Sequence, residues 1–298
     1  MTQKLCIATV CSANHYSCYV PTFLYSAHKA YPDADVKVYV LGELREEIKT
    51  LLDEIPAKNY EITENAFIDY PIKRWTSNAL RHLLPVYDFV EYSHIFICDV
   101  DFVFVKQGKP MLKYYDDLLD ACGEPYATFR GHTNKEWDGN KKRLGEGFFV
   151  IKTPEWFKQT AQARSYYEKR LKELKSDSFD DIKPGTYREY GEVLLYRICK
   201  ASKMRTPNLP WCFLNNKKVD MLYRQVHLGD FKFGRRHKNW SKMIEYLPFL
   251  NVVSYAKMFW EDKEWDKLCA AVGSISEKVG DNLKRAHAHI KERYKAGV

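Results

Sequence analysis

Two short apolar runs, residues 5–10 and 36–41, bracket a stretch over 20–30 whose apolar residues recur at helical spacing. Runs of this length without polar alternation read as strands buried on both faces. Joined through a helix, they form the βαβ unit of an open α/β sheet. The alternation continues along the chain. Residues 75–84 read as helical, 95–105 as an apolar strand and 147–151 as another. Thr153, with Pro154 and Glu155 behind it, reads as the cap of a helix over 156–174, and a further helix is expected over 187–200. All-α and all-β architectures are excluded.

With 298 residues, 45% hydrophobic and 15% aromatic, the chain can bury one large core. No repeat or linker divides it, so the expected organisation is one domain over 1–250 and a helical extension over 251–298. Lysine and arginine outnumber aspartate and glutamate by 47 to 39, a net charge of +8. That balance suits anionic partners but is too mild and too scattered to require nucleic acid. No apolar stretch approaches the ~18 residues of a membrane span, and the first ten residues carry no cleavage pattern, so a cytoplasmic protein is expected. Of eight cysteines, Cys6, Cys11, Cys98, Cys199 and Cys212 lie in or beside apolar runs, and no C-x-x-C pair occurs. They read as reduced core thiols rather than zinc ligands.

Residues 176–185, SDSFDDIKPG, are rich in turn formers and acids and read as a surface loop able to act as a lid. Lys232, Arg235, Arg236, Lys238 and Lys242 form the densest basic cluster. In the tail, Leu268, Val272, Ile275, Val279, Leu283, Ala286, Ile290 and Tyr294 follow steps of three and four, the pattern of a single amphipathic helix. Its last turns carry Lys284, Arg285, Lys291, Arg293 and Lys295. Such a helix either completes the core or lies on an anionic membrane as a peripheral contact.

The segment from Ile95 to Val105 is apolar except at Asp99 and Asp101 and contains no turn former. On one continuous strand the two carboxylates share a face and repel by about 3 kcal/mol at ~5 Å and an effective dielectric of about 20. A divalent cation held through oxygen would compensate. Two enzyme classes place D-x-D at the carboxyl end of a central strand, the haloacid dehalogenase-like phosphatases and the sugar-nucleotide glycosyltransferases of GT-A fold. Far downstream, His227-Leu-Gly-Asp-Phe-Lys232 offers an imidazole as a third metal ligand, a glycine that lets backbone approach a diphosphate, and a lysine to add positive charge.

Taken together these segments resemble the GT-A glycosyltransferases, in particular the retaining family-eight type of bacterial lipopolysaccharide galactosyltransferases and glycogenin. The likeness runs in order from a first strand ending in Asn14-His-Tyr16, through an arginine-bearing helix at Arg81, Asp99-Val100-Asp101 and Gly145-Glu-Gly-Phe-Phe-Val150, to His227–Lys232. A phosphatase would instead open near its D-x-D, whereas about ninety residues precede it here.

The resemblance implies Asp99, Asp101 and His227 as ligands of Mn2+ or Mg2+, with Gly229 and Lys232 on the diphosphate of a nucleotide-sugar donor, a uridine diphosphate sugar first among candidates. Thr9, Asn14 and Tyr16 match contacts to base and ribose, Val100 lies between the two acids of the D-x-D and counts with them toward the donor, and Arg81 matches the arginine that reaches the donor. Phe233-Gly234 replaces the family's Pro-Trp, and Gly145-Glu146-Gly147 its Asn-Ala-Gly turn.

The reaction expected is transfer of a sugar to a glycan or glycolipid with retention, for which no separate nucleophile is required. Glu192 is the carboxylate expected to contact the sugar or act as base, and Asp101 stands beside it as the second catalytic candidate. The alternatives are a dehalogenase-like phosphatase using Asp99 and Asp101, and a noncatalytic carbohydrate-binding protein on a transferase scaffold.

Overall fold

The computed structural model describes residues 4–14, 16–70, 76–128, 148–173, 190–205, 226–228 and 249–297. The first βαβ unit is β1 (Leu5–Ser12), α1 (Val20–Ala30) and β2 (Asp35–Leu41), followed by α2 (Glu46–Glu54) and β3 (Tyr60–Thr63). Next come α3 (Thr76–Leu80), a 3-10 turn (Arg81–Leu83), β4 (His94–Cys98), β5 (Phe102–Val103), α4 (Met111–Cys122), β6 (Tyr126–Thr128) and β7 (Phe148–Lys152). The chain then forms α5 (Thr153–Lys172), α6 (Tyr190–Ala201), β8 (Val226–His227), α7 (Phe249–Phe259), α8 (Lys263–Ile275) and α9 (Glu277–Ala296).

Six strands form one sheet in the order β3-β2-β1-β4-β7-β6. The first four are mutually parallel, and β7 runs antiparallel to both β4 and β6. Both faces are covered, which is why β1, β2 and β4 read as unbroken apolar runs. Ile7, Val38 and Phe96 share one core with residues of α1, α8 and α9, while Ala8, Tyr39 and Ile97 share a second with residues of α3, α5 and α6. After β1 the chain builds outward to β3, then returns to lay β4 on the other flank of β1. The carboxyl ends of β1 and β4 therefore frame a topological switch point, where open α/β sheets bind ligands.

Three expectations are corrected. The strand expected over 95–105 ends at Cys98. Residues 99–101 leave it, and β5 joins a separate two-stranded sheet with β8. Asp99 and Asp101 therefore sit in a turn, not on one face of a strand. Thr153 is the first residue of α5 rather than its cap, and no side chain caps that helix.

The tail is two helices, broken at Ser276. Gly273 of α8 and Gly280 of α9 meet so closely that a Cβ on Gly280 would lie 2.6 Å from the Gly273 Cα. Asp262 caps α8 by accepting from the Glu264 and Trp265 amides, and it ties the helix to α1 through Lys29 and the Tyr25 hydroxyl, 2.7 Å away. Leu268, Val272, Val279, Leu283, Ala286 and Ile290 are buried in the same core as α1. The apolar face of the tail is therefore spent inside the protein and does not face a bilayer; Tyr294 is exposed, its ring edge-on to Trp260.

Among the described residues no helix is long and apolar enough to cross a membrane. Cys6, Cys11, Cys98 and Cys199 are buried free thiols, as expected, and burial pushes the Cys11 thiol up to about 12. The loop at 176–185, the basic cluster at 232–242 and Cys212 lie outside the described residues.

Candidate active site

Two segments come together at the switch point. Thr9 pairs with Cys98 in the parallel register of β1 and β4, so the turn that follows β1 stands beside the turn that follows β4. In the first of these, Asn14 Oδ1 accepts from the Tyr16 amide at 2.9 Å, and the Asn14 carbonyl accepts from the Ser17 amide at 3.0 Å and its hydroxyl at 2.8 Å. This Asx-type turn leaves Asn14 exposed and Tyr16 half-buried at the crest. Thr9 is fully buried, three residues short of the strand end. Just past the neighbouring strand β2, Gly42 has φ +102, and a side chain there would press on the Ala13 Cβ at 3.0 Å, so glycine keeps this crest clear.

In the second turn, Arg81 Nη2 lies 2.6 Å from Asp99 Oδ1, with side-chain exposures of 2% and 28%. A cation of the protein itself thus offsets the charge on Asp99, a role the sequence argument assigned to a metal alone. The pair is held from behind. Arg164, buried in α5, donates from Nε to the His82 carbonyl at 3.1 Å and from Nη2 to the Leu84 carbonyl, clamping the 3-10 turn that carries Arg81. Burial lowers the Arg164 guanidinium to about 10, so it stays charged at neutral pH. Neither the buried polar clamp nor its partner carbonyls follow a sequence pattern that could have marked Arg164 in advance.

Glu192 is not a solvated helix acid. It is 8% exposed, in the first turn of α6. That helix packs on α3 and on the 3-10 turn, and the His82 ring bonds the backbone of Gly191. Glu192 therefore belongs to the same layer as Arg81.

Asp101 is 2% exposed, and its carbonyl accepts from the Leu228 amide at 2.8 Å. Beside it, β5 and β8 pair antiparallel with Phe102 opposite His227. The backbone thus brings the D-x-D turn and the head of the H-x-G-x-x-K segment to one place across more than a hundred residues. Gly229 and Lys232 lie outside the described residues.

Among the described side chains no group of three or more His, Cys, Asp or Glu assembles. Two carboxylates beside a strand that carries a histidine nonetheless supply the oxygen and nitrogen donor types that Mn2+ or Mg2+ accepts, and the Leu228–Asp101 hydrogen bond fixes that neighbourhood.

No family model matches the chain, and no curated protein matches it. Among solved structures it is similar to the galactosyltransferase LgtC in complex with donor and acceptor sugar analogues, with a TM-score of 0.47 and 11% identity over 88% of this chain and 99% of that one. It is also similar to the glycosyltransferase GlyE of Streptococcus pneumoniae, with a TM-score of 0.42 and 9% identity over 99% of this chain and 64% of that one. A third is core-mannan synthase A of Aspergillus fumigatus in a Mn/GDP form, with a TM-score of 0.37 and 8% identity over 56% of this chain and 64% of that one. The roles of the residues in this chain rest on its own geometry.

Proposed function

We propose that this protein is a metal-dependent glycosyltransferase of the GT-A type. It transfers a sugar from a nucleotide-sugar donor, a uridine diphosphate sugar first among candidates, to a glycan or glycolipid acceptor with retention of configuration. The observation that carries this reading is the β5–β8 register, in which Phe102 faces His227 next to Asp101 at the switch point of the sheet.

In this reading Asp99, Asp101 and His227 hold Mn2+ or Mg2+, and the ion, when bound, supplies positive charge to the leaving diphosphate. Lys232 adds a second positive charge there, and Gly229 admits the backbone to the phosphates. Asn14 and Tyr16 receive the nucleoside, with Thr9 behind them, and Arg81 orients Asp99 from within the core. Glu192, buried beside the Arg81 turn, contacts the transferred sugar. The acceptor oxygen bonds to the anomeric carbon from the leaving-group face as the bond to the diphosphate breaks, and the acceptor proton passes to the departing phosphate oxygen. The membrane role of the tail is reduced to its exposed basic side chains, among them Lys284, Lys291 and Lys295.

The test is incubation with UDP-, GDP- and ADP-sugars, with manganese or with chelator, followed by assay for free sugar and nucleoside diphosphate. Metal-dependent release from one donor class supports the transferase. Release of inorganic phosphate from phosphomonoesters would favour the phosphatase, and saccharide binding without turnover would favour the noncatalytic scaffold.

A further inference from the structure

Tyr16 stands at the crest of β1, and its ring lies against that of Tyr19, with centroids 6.2 Å apart and planes inclined by 42°. Tyr19 is almost fully buried, at 1% exposure, and its hydroxyl accepts a hydrogen bond from Asn282 Nδ2 of α9 at 2.6 Å. Asn282 is itself 3% exposed and is flanked along α9 by the buried Val279, Leu283 and Ala286. A carboxamide in such a place costs desolvation that a leucine would not, so its contribution lies in direction rather than in burial. The local bonds of residues 13–19 fix the backbone of the turn, whereas the Asn282 bond reaches the far end of the Tyr19 ring and fixes where that ring stands.

We propose that Asn282 is a positioning residue of the nucleoside subsite. Through the Tyr19 hydroxyl it sets the wall against which Tyr16 presents its ring to the base of the nucleotide. The inference rests on the reading above, in which Asn14 and Tyr16 receive the nucleoside. It also gives the carboxyl-terminal helix a part in donor binding, although α9 stands far from the D-x-D turn in sequence.

The experiment uses the full chain. UDP, GDP and ADP are titrated with manganese into the wild type, Asn282→Leu, Tyr19→Phe, the double variant and Tyr16→Ala, and KM and kcat are measured for donor hydrolysis per folded molecule. The expected result is a rise of about three- to tenfold in Kd and KM for Asn282→Leu and for Tyr19→Phe, the range that loss of one hydrogen bond produces, with kcat unchanged. The double variant should be no worse than Asn282→Leu alone, because both changes remove one bond. A merely structural role would lower the melting temperature and the folded fraction while leaving KM where it was, and that outcome overturns the inference. Wild-type binding of a diphosphate that is unchanged in both single variants but lost in Tyr16→Ala also overturns it, while the nucleoside reading stands. Binding of none of the three diphosphates, or full binding by Tyr16→Ala, overturns the reading and the inference with it.

Discussion

Arg81 and Asp99 form an ion pair of 2.6 Å in which the cation is buried and the carboxylate is partly open to solvent. This asymmetry decides what each substitution does. Asp99→Ala leaves a buried guanidinium without its carboxylate, so it should destabilise the fold by about 1–2 kcal/mol, discounted for the exposure of Asp99, besides weakening metal-dependent donor binding. Removing both charges, in Arg81→Met with Asp99→Ala, should recover part of that loss. Urea unfolding of the two singles and the double gives the coupling, and strict additivity would show that the pair does not interact.

Arg164 serves the same turn from the other side. Its replacement by methionine orphans the carbonyls of His82 and Leu84 and should cost about 2–4 kcal/mol. Thermal melting reads the stability. Donor hydrolysis in the surviving folded fraction should also fall, since Arg81 loses its support.

Acid should destabilise the protein through its buried histidines. Burial, reinforced by the charges of Arg81 and Arg164, holds His82 well below its usual value, and burial lowers His94, His287 and His289 as well. In the unfolded chain these rings titrate near 6.5, so below that pH the unfolded state binds more protons and gains on the folded state. Stability should be fully present above about pH 6.5 and should fall as the pH drops, by up to ~1.4 kcal/mol per pH unit for each ring that remains neutral in the fold. Urea midpoints between pH 7.5 and 5 measure the slope, which His82→Gln should flatten.

The two glycines at the α8–α9 crossing should respond in opposite directions. Alanine at Gly273 meets only ordinary contact, 3.5 Å from Gly280, and gains up to ~1 kcal/mol of helix propensity. At Gly280 the new methyl would lie 2.6 Å from backbone, and overpacking of about 1–3 kcal/mol outweighs the same propensity gain. Chemical denaturation of the two variants separates them.

A chain ending at Gly280 loses the buried Leu283, Ala286 and Ile290 together with Asn282. Leu283→Ala alone should cost about 2–5 kcal/mol, so the shortened chain should melt without cooperativity rather than stay folded. Circular dichroism checks this, and a sharp transition near that of the full chain would refute the packing described for α9.

The parallel strands were legible because burial on two faces leaves no polar position in them, and α1 was read at its observed bounds. The break after Cys98 was hidden, since Asp-Val-Asp offers neither glycine nor proline, and what bends the chain there is a non-local partner, β8. The split of the tail at Ser276 was masked by apolar periodicity that runs on through Gly273 and Gly280, because both helices turn their apolar faces to one core. The acids of the candidate site were visible as charges within an apolar run. Their supports were not: Arg164 and Asn282 are polar residues on amphipathic helices, and only tertiary packing separates them from solvated polar neighbours.

The hydrogen bond between Tyr19 and Asn282 joins residues 263 positions apart, so the turn that follows β1 is completed by α9. Closing so wide a loop is slow relative to the local βαβ contacts around it. A chain that has formed β1, α1 and β2 before α9 docks thus carries the nucleoside turn without the Asn282 bond behind it, and its grip on a donor should tighten only once α9 is in place.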